Sequence, residues 1–281
     1  MTTHGHVLLD TPSPAKTRDD PRIDVYVWEV PVRVTHWVNA LSLFVLAFTG
    51  FYIGYPFIIS SGPATDRFVM GTMKAIHFYA AIAFTLSVLA RMVWMFLGNR
   101  YARWDKFIPV AKRRFKALWP TLKFYLFFQK KPPGFIGHNP VAGLAYTAVF
   151  LLFFVEIGTG LAMYGASAHV DTPLRIFAGQ APLFGGLQWA RFLHHGVMWL
   201  LLGFTVHHVY SSLLMSQVEA NATVESIFSG RKFVYRDDLI YSGYRFQPRE
   251  ELNAKTEPAK RDTKPKQATE EPDTRSREET S

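Results

Sequence analysis

The chain contains no cysteine. That absence excludes disulfides, iron–sulfur clusters, thiolate zinc sites and haem attached covalently through a C-x-x-C-H motif. Asp, Glu, Lys and Arg are almost as scarce over four long windows. None occurs from Val34 to Thr65, only Lys74 and Arg91 occur between 72 and 97, only Glu156 between 141 and 164, and none between Arg191 and Glu219. A His-Glu-x-x-His zinc motif is missing. The polar start of the chain also lacks the apolar core and small-residue cleavage site expected of a secretory signal.

A helix needs about 20 apolar residues to cross the hydrocarbon of a bilayer. The four windows therefore predict an all-α, integral membrane four-helix bundle with spans near 36–57, 72–97, 141–164 and 190–216. The net charge of +9 is concentrated rather than spread. The connection 98–140 carries Arg100, Arg103, Lys106, Lys112, Arg113, Arg114, Lys116, Lys123, Lys130 and Lys131, against Arg67 alone in 58–71 and Arg175 alone in 165–189. By the positive-inside rule the basic connection and both termini are expected in the cytoplasm. Lipid headgroups then account for the charge and no nucleic acid is needed. Phe107, Ile108, Val110, Phe115, Leu118 and Trp119 alternate with these cations. This suggests an amphipathic segment on the inner leaflet, a plain solvated loop being the other reading. The expected organisation is a polar tail at 1–24, a four-span domain at 25–235 and a polar tail at 236–281. Beyond Phe246 the last segment has no aromatic residue, cannot bury a core and is expected to be disordered.

Histidines at lipid depth are rare and need a partner. His194 and His208 are 14 residues apart, which on a helix places them about 40° apart on one face and about 21 Å apart along the axis. The alternatives involving His195 or His207 diverge by about 120–140°. The first span enters from the cytoplasm, so His36 lies near the inner side, whereas His77 lies near the outer side of the second. In the fourth span His194 is on the outer side and His208 deeper toward the inside. The four thus sort by depth into an outer pair, His77 with His194, and an inner pair, His36 with His208. Each pair comes from two helices and could supply both axial ligands of one haem iron. Packing or hydrogen-bonding roles are the other reading for any one of them. Zinc is less suited, because its ligands converge at one depth.

Arg33, Lys74 and Arg191 each precede one of these histidines by three residues, and Arg91 follows His77 by 14. All four cations share a face with a proposed ligand and suit haem propionates, although cations near helix ends also snorkel to headgroups. Gly50, 14 residues past His36, would let the first helix approach the outer haem closely. Glu156, a carboxylate within a span, is costly unless paired, protonated or wet. Proton transfer, a structural hydrogen bond and a shallow position are all compatible with it. His138, in Gly137-His138-Asn139-Pro140, is a quinone contact or a helix-start residue. His195 and His207 are expected to pack near the ligands, His169 to lie in the outer loop, and His4 and His6 to be solvated.

The segment Tyr26-Val27-Trp28-Glu29-Val30-Pro31-Val32-Arg33-Val34-Thr35-His36-Trp37, followed by Thr49-Gly50, resembles the start of the cytochrome b subunit of membrane-bound NiFe hydrogenases. Arg191-Phe192-Leu193-His194-His195-Gly196-Val197-Met198-Trp199, continuing to His207-His208-Val209-Tyr210, resembles its second hallmark. The likeness spans roughly residues 24–235. It implies a di-haem b-type cytochrome in the bacterial inner membrane, anchoring the small iron–sulfur and large subunits of a hydrogenase on the outer face. It implies two non-covalent b haems on His36, His208, His77 and His194. It also implies electron flow from hydrogen oxidation through the outer and then the inner haem to quinone, with His138 and Asn139 as candidate quinone contacts. The four-histidine geometry alone is shared with formate dehydrogenase gamma subunits. A stand-alone b561-type membrane reductase is a further alternative, and a haem-free anchor or zinc transporter is the third.

Overall fold

The computed structural model describes residues 6–7, 22–57, 68–130, 132–235 and 245–246. His4, the connection bearing Arg67 and most of both polar tails lie outside the described residues. In chain order the elements are β1 (His6–Val7), β2 (Arg22–Tyr26), α1 (Val30–Gly54), α2 (Val69–Leu97), a 3-10 turn at Trp104–Lys106, α3 (Lys112–Tyr125) and α4 (Pro140–Ser167). A 3-10 segment at Pro173–Phe184, α5 (Leu187–Glu219), α6 (Thr223–Ser229), β3 (Arg231–Tyr235) and β4 (Arg245–Phe246) complete them.

Helices α1, α2, α4 and α5, of 25, 29, 28 and 33 residues, are each long and apolar enough to cross a membrane. The protein is mostly helical, and its four long apolar helices are those of a membrane protein. α1 starts at Val30 rather than near 36, because Pro31 occupies the first turn, where a missing N–H has no intrahelical role. α4 likewise opens on Pro140, capped by the Asn139 side chain, which accepts from the Ala142 N–H. α1 packs along α2 and α4 along α5. At mid-height Phe84, Val88, Val149, Phe153, Val197 and Leu201 form a buried apolar layer, flanked by Leu43 and Leu46. Outside it, Leu41, Phe44, Leu86, Phe96, Leu151 and Val206 are exposed, an apolar girdle of the kind that faces lipid rather than water.

The fold departs from helices alone at one end. β2 pairs antiparallel with β3, Arg22 opposite Tyr235 and Tyr26 opposite Arg231, so the strand begins inside the stretch expected to be tail. Burial explains the pairing: Val25, Val27 and Val234 join Trp28, Val32, Tyr101, Ala102 and Ile136 in a second core. The Val27 and Trp28 N–H groups donate to the Gly230 carbonyl at 2.7 and 3.0 Å. Gly230 has φ +81, and a Cβ there would meet the Trp28 carbonyl oxygen at 2.6 Å, so only glycine fits. The Trp28 indole donates to Ser226 Oγ at 3.0 Å. Glu29 Oε2 accepts from the Trp94 indole at 2.9 Å and from the Asn99 N–H at 2.8 Å, tying the start of α1 to the end of α2. β1 and β4 form a separate parallel pair.

Of the segment expected to be amphipathic, Phe115, Leu118 and Trp119 lie on α3, whereas Phe107, Ile108 and Val110 precede it and Phe107 is buried. Phe115, Trp119 and Leu122 make an exposed stripe while Ala117, Thr121 and Phe124 are buried, the two-faced pattern of a helix half-covered by its neighbours.

Candidate functional site

Two histidine pairs stand at opposite ends of the bundle. His36 of α1 and His208 of α5 have ring centres 6.2 Å apart, and His77 of α2 and His194 of α5 have ring centres 6.3 Å apart. These are the partners that depth along the helices selects. The spacing has a chemical meaning. An imidazole nitrogen binds a metal at about 2 Å and its ring centre lies about 1.2 Å further back, so two rings trans across one metal sit about 6.4 Å apart. Both pairs therefore fit a bis-histidine iron. Among the described residues no group of three or more His, Cys, Asp or Glu could hold a metal by itself. A porphyrin would add four coplanar nitrogens to the two imidazoles of either pair.

Local hydrogen bonds decide which ring nitrogen is free. Thr49 Oγ1 donates to the Val45 carbonyl at 2.7 Å and lies 2.8 Å from His77 Nδ1, so toward the ring it accepts. Thr159 Oγ1 is bonded likewise to the Val155 carbonyl at 2.7 Å and lies 3.0 Å from His194 Nδ1. Glu156 Oε2 reaches the same His194 nitrogen at 2.5 Å. Both rings of this pair thus carry their hydrogen on Nδ1 and keep the Nε2 lone pair for a metal. In the other pair, His36 Nδ1 is buried without a partner among the described residues. Gly50 borders His77, where an added Cβ would lie 3.5 Å from Cε1, and Gly160 borders His194 at 3.4 Å from Cε1.

The cations divide. Arg91 is buried; Nη2 donates to the Ala102 carbonyl at 3.2 Å, the guanidinium lies over the Phe107 ring, and Nη1 has no partner among the described residues. Arg33 donates through Nη1 to the Phe228 carbonyl and leaves a buried Nε unpartnered among the described residues. Lys74 is exposed, and Arg191 is exposed and bonded to Gln188 Oε1 at 2.9 Å. His195 is exposed with Nδ1 against the Arg191 carbonyl, and His207 is exposed beside Ser211. His169 faces Asp171 on an exposed turn.

His138 is enclosed by aromatic rings, Trp28 at 4.7 Å, Tyr146 at 4.8 Å and Phe107 at 5.4 Å between centres. Tyr146 in turn lies 5.7 Å from His208. Burial, reinforced by the Arg91, Lys232 and Arg114 cations, holds the His138 imidazole well below its usual pKa, so it is neutral at neutral pH. Asn139 is committed at both ends of its amide, accepting from Ala142 N and donating to Tyr125 Oη at 3.0 Å. Burial raises the Tyr125 pKa. Nearby, Phe115, Leu118, Trp119 and Leu122 of α3 with Val141 and Leu144 of α4 line an apolar groove.

Sequence reasoning placed Thr49 in the first hallmark without a role, and missed Thr159 and Gly160. A signal was available for the last two, because positions three and four after Glu156 share its helix face.

The family model for prokaryotic cytochrome b561 matches residues 27–230. A "Probable Ni/Fe-hydrogenase B-type cytochrome subunit" of Azotobacter vinelandii is 36% identical over 217 residues, covering 76% of this chain and 90% of the relative. A protein of the same description from Cupriavidus necator is 37% identical over 211 residues, covering 73% and 85%. A "Probable Ni/Fe-hydrogenase 1 B-type cytochrome subunit" of Escherichia coli K12 is 35% identical over 223 residues, covering 77% and 95%.

Proposed function

The chain belongs to the prokaryotic cytochrome b561 family of b-type cytochromes, and from that premise we propose that it is the membrane electron-transfer subunit of a Ni/Fe-hydrogenase, carrying electrons from hydrogen oxidation to membrane quinone. The observation that supports this most strongly is the presence of two histidine pairs, each at the spacing that a bis-histidine iron requires. His36 with His208, and His77 with His194, would each hold one non-covalent b haem. When bound, the haems supply one-electron iron couples at two depths.

The chain's own residues do the rest. Thr49 and Thr159 accept from the ring N–H groups of His77 and His194, which would leave both Nε2 atoms free for iron. The buried Arg91 Nη1 and Arg33 Nε would hold propionates at the His36–His208 end, and Lys74 and Arg191 those at the other end. Gly50 leaves room beside His77. The basic connection lies against the cytoplasmic leaflet, with both termini inside. The His77–His194 end therefore faces the outer side, where the iron–sulfur and large subunits of the hydrogenase would dock. Electrons enter there and leave near His36 and His208. His138, neutral and ringed by Trp28, Phe107 and Tyr146, would contact the quinone head. Asn139 holds the start of α4 beneath it, and the apolar groove between α3 and α4 suits an isoprenoid tail.

A pyridine haemochrome assay on the detergent-purified chain tests the assignment. Wild type should carry two b haems. His36→Ala, His208→Ala, His77→Ala and His194→Ala should each carry one, while His195→Ala and His207→Ala keep two. Equal haem content in all seven proteins would overturn the ligand set. Co-purification of a nickel-containing partner separates the hydrogenase role from formate-linked or stand-alone electron transfer.

A further inference from the structure

α4 contributes no histidine to either pair, yet one face of it is devoted to His194. Glu156 Oε2 lies 2.5 Å from His194 Nδ1, Thr159 Oγ1 lies 3.0 Å from the same atom, and Gly160 clears the ring edge. The Glu156 side chain is only 12% exposed. Among the described residues no lysine or arginine forms an ion pair with it. A carboxylate at this depth is costly to keep, and a threonine hydroxyl already accepts from the imidazole. Orienting the ring therefore does not require Glu156.

The two pairs differ in this respect. His77 Nδ1 meets a neutral hydroxyl, Thr49. His36 Nδ1 is buried with no partner among the described residues. Among the described residues, His194 is the one ring of the four in an ion-pair contact with a carboxylate. An imidazole that donates to a carboxylate takes on anionic character, and its Nε2 becomes a stronger donor to a metal. A stronger donor and a nearby negative charge both favour ferric over ferrous iron, and so lower the reduction potential.

We propose that Glu156 is a positioning residue that acts through His194 to lower the potential of the haem between His77 and His194 relative to the haem between His36 and His208. This rests on the two-haem function proposed above. Its consequence is direction: the end at which electrons enter holds the weaker oxidant, and transfer toward the His36–His208 end is downhill.

The test is potentiometric titration of the haem α-band in the full chain purified with its partner subunits, alongside ferric low-spin electron paramagnetic resonance. The Glu156→Gln amide oxygen can still accept from Nδ1–H, but the charge is gone. Glu156→Asp keeps the charge. His194→Ala identifies which of the two reduction waves belongs to the His77–His194 site. In Glu156→Gln that wave should move upward and the gap to the other wave should narrow, with two haems retained, the other wave unmoved and the resonance of one haem altered. Glu156→Asp should return the wave toward its wild-type position. Should Glu156→Gln lose one haem, retention of both in Glu156→Asp at wild-type potentials still assigns the role to the charge. Two haems with unshifted waves in Glu156→Gln, a downward shift, movement of the other wave, or haem loss in both variants would each overturn the proposal. Absence of haem from wild type would instead overturn the two-haem function, so the two failures are distinguishable.

Discussion

Glu29→Ala should loosen the end of the bundle that carries His36. One oxygen, Oε2, accepts from both the Trp94 indole at 2.9 Å and the Asn99 N–H at 2.8 Å. Truncation strands two partly buried donors. Leaving a buried donor unsatisfied costs about 1–3 kcal/mol, and partial exposure places each of these in the lower half, so the sum is about 2–4 kcal/mol. For a domain of this size about 1 kcal/mol moves the midpoint by about 2–4 °C, giving a fall of about 4–16 °C. Glu29→Gln is the informative companion. Both donors converge on a single oxygen, so the amide carbonyl can accept from both and only the charge assistance is lost. Charge-assisted bonds are about twice as strong as neutral ones, so about half of the alanine effect is expected. The assay is thermal unfolding in detergent followed by far-ultraviolet circular dichroism, with haem content recorded in parallel. An unchanged midpoint in Glu29→Ala, or equal effects of Ala and Gln, would refute the two-donor account of this joint.

Gly160→Leu should reduce haem content from two per chain to one, because its branches would enter the space beside His194 Cε1, already 3.4 Å from an added Cβ; Gly160→Ala should retain both, as a pyridine haemochrome assay will show. Thr49→Val keeps the volume but removes the acceptor for His77 Nδ1. Losing such a support commonly costs about 10–100-fold in metal affinity, so haem should transfer faster to excess apomyoglobin. His138 has a depressed pKa in the folded chain. The unfolded chain takes up its proton first as pH falls, so this contribution to stability is complete above pH about 6.5 and declines below it. Chemical unfolding between pH 7 and 5 should accordingly show a shallower acid loss in His138→Gln than in wild type.

The helices and the histidine pairing were legible for the same reason. Helical periodicity is local, so 14 residues between His194 and His208 fix both direction and depth on α5 without any knowledge of the neighbours. The β2–β3 sheet was not. Arg22–Tyr26 is five residues long and alternates polar with apolar, which in isolation reads as the edge of a polar tail, and its partner Arg231–Tyr235 lies beyond all four long helices. Glu156 was conspicuous in the sequence as a carboxylate in a span, but its partner His194 is on a different helix, and only the packing of α4 on α5 joins them. Arg33 illustrates the converse. Its spacing from His36 directs it toward the histidine face, yet one guanidinium nitrogen is committed to the Phe228 carbonyl of α6, an acceptor that no pattern in α1 announces.

Both histidine pairs draw one ring from α5, the last of the four long helices to leave the ribosome. Until Leu187–Glu219 is inserted, α1 and α2 present only half of each site, and β2 has no β3 to close against. On the two-haem proposal, cofactor capture would therefore wait for α5. A chain that stops before α5 carries His36 and His77 but neither of the opposing imidazoles, His208 and His194.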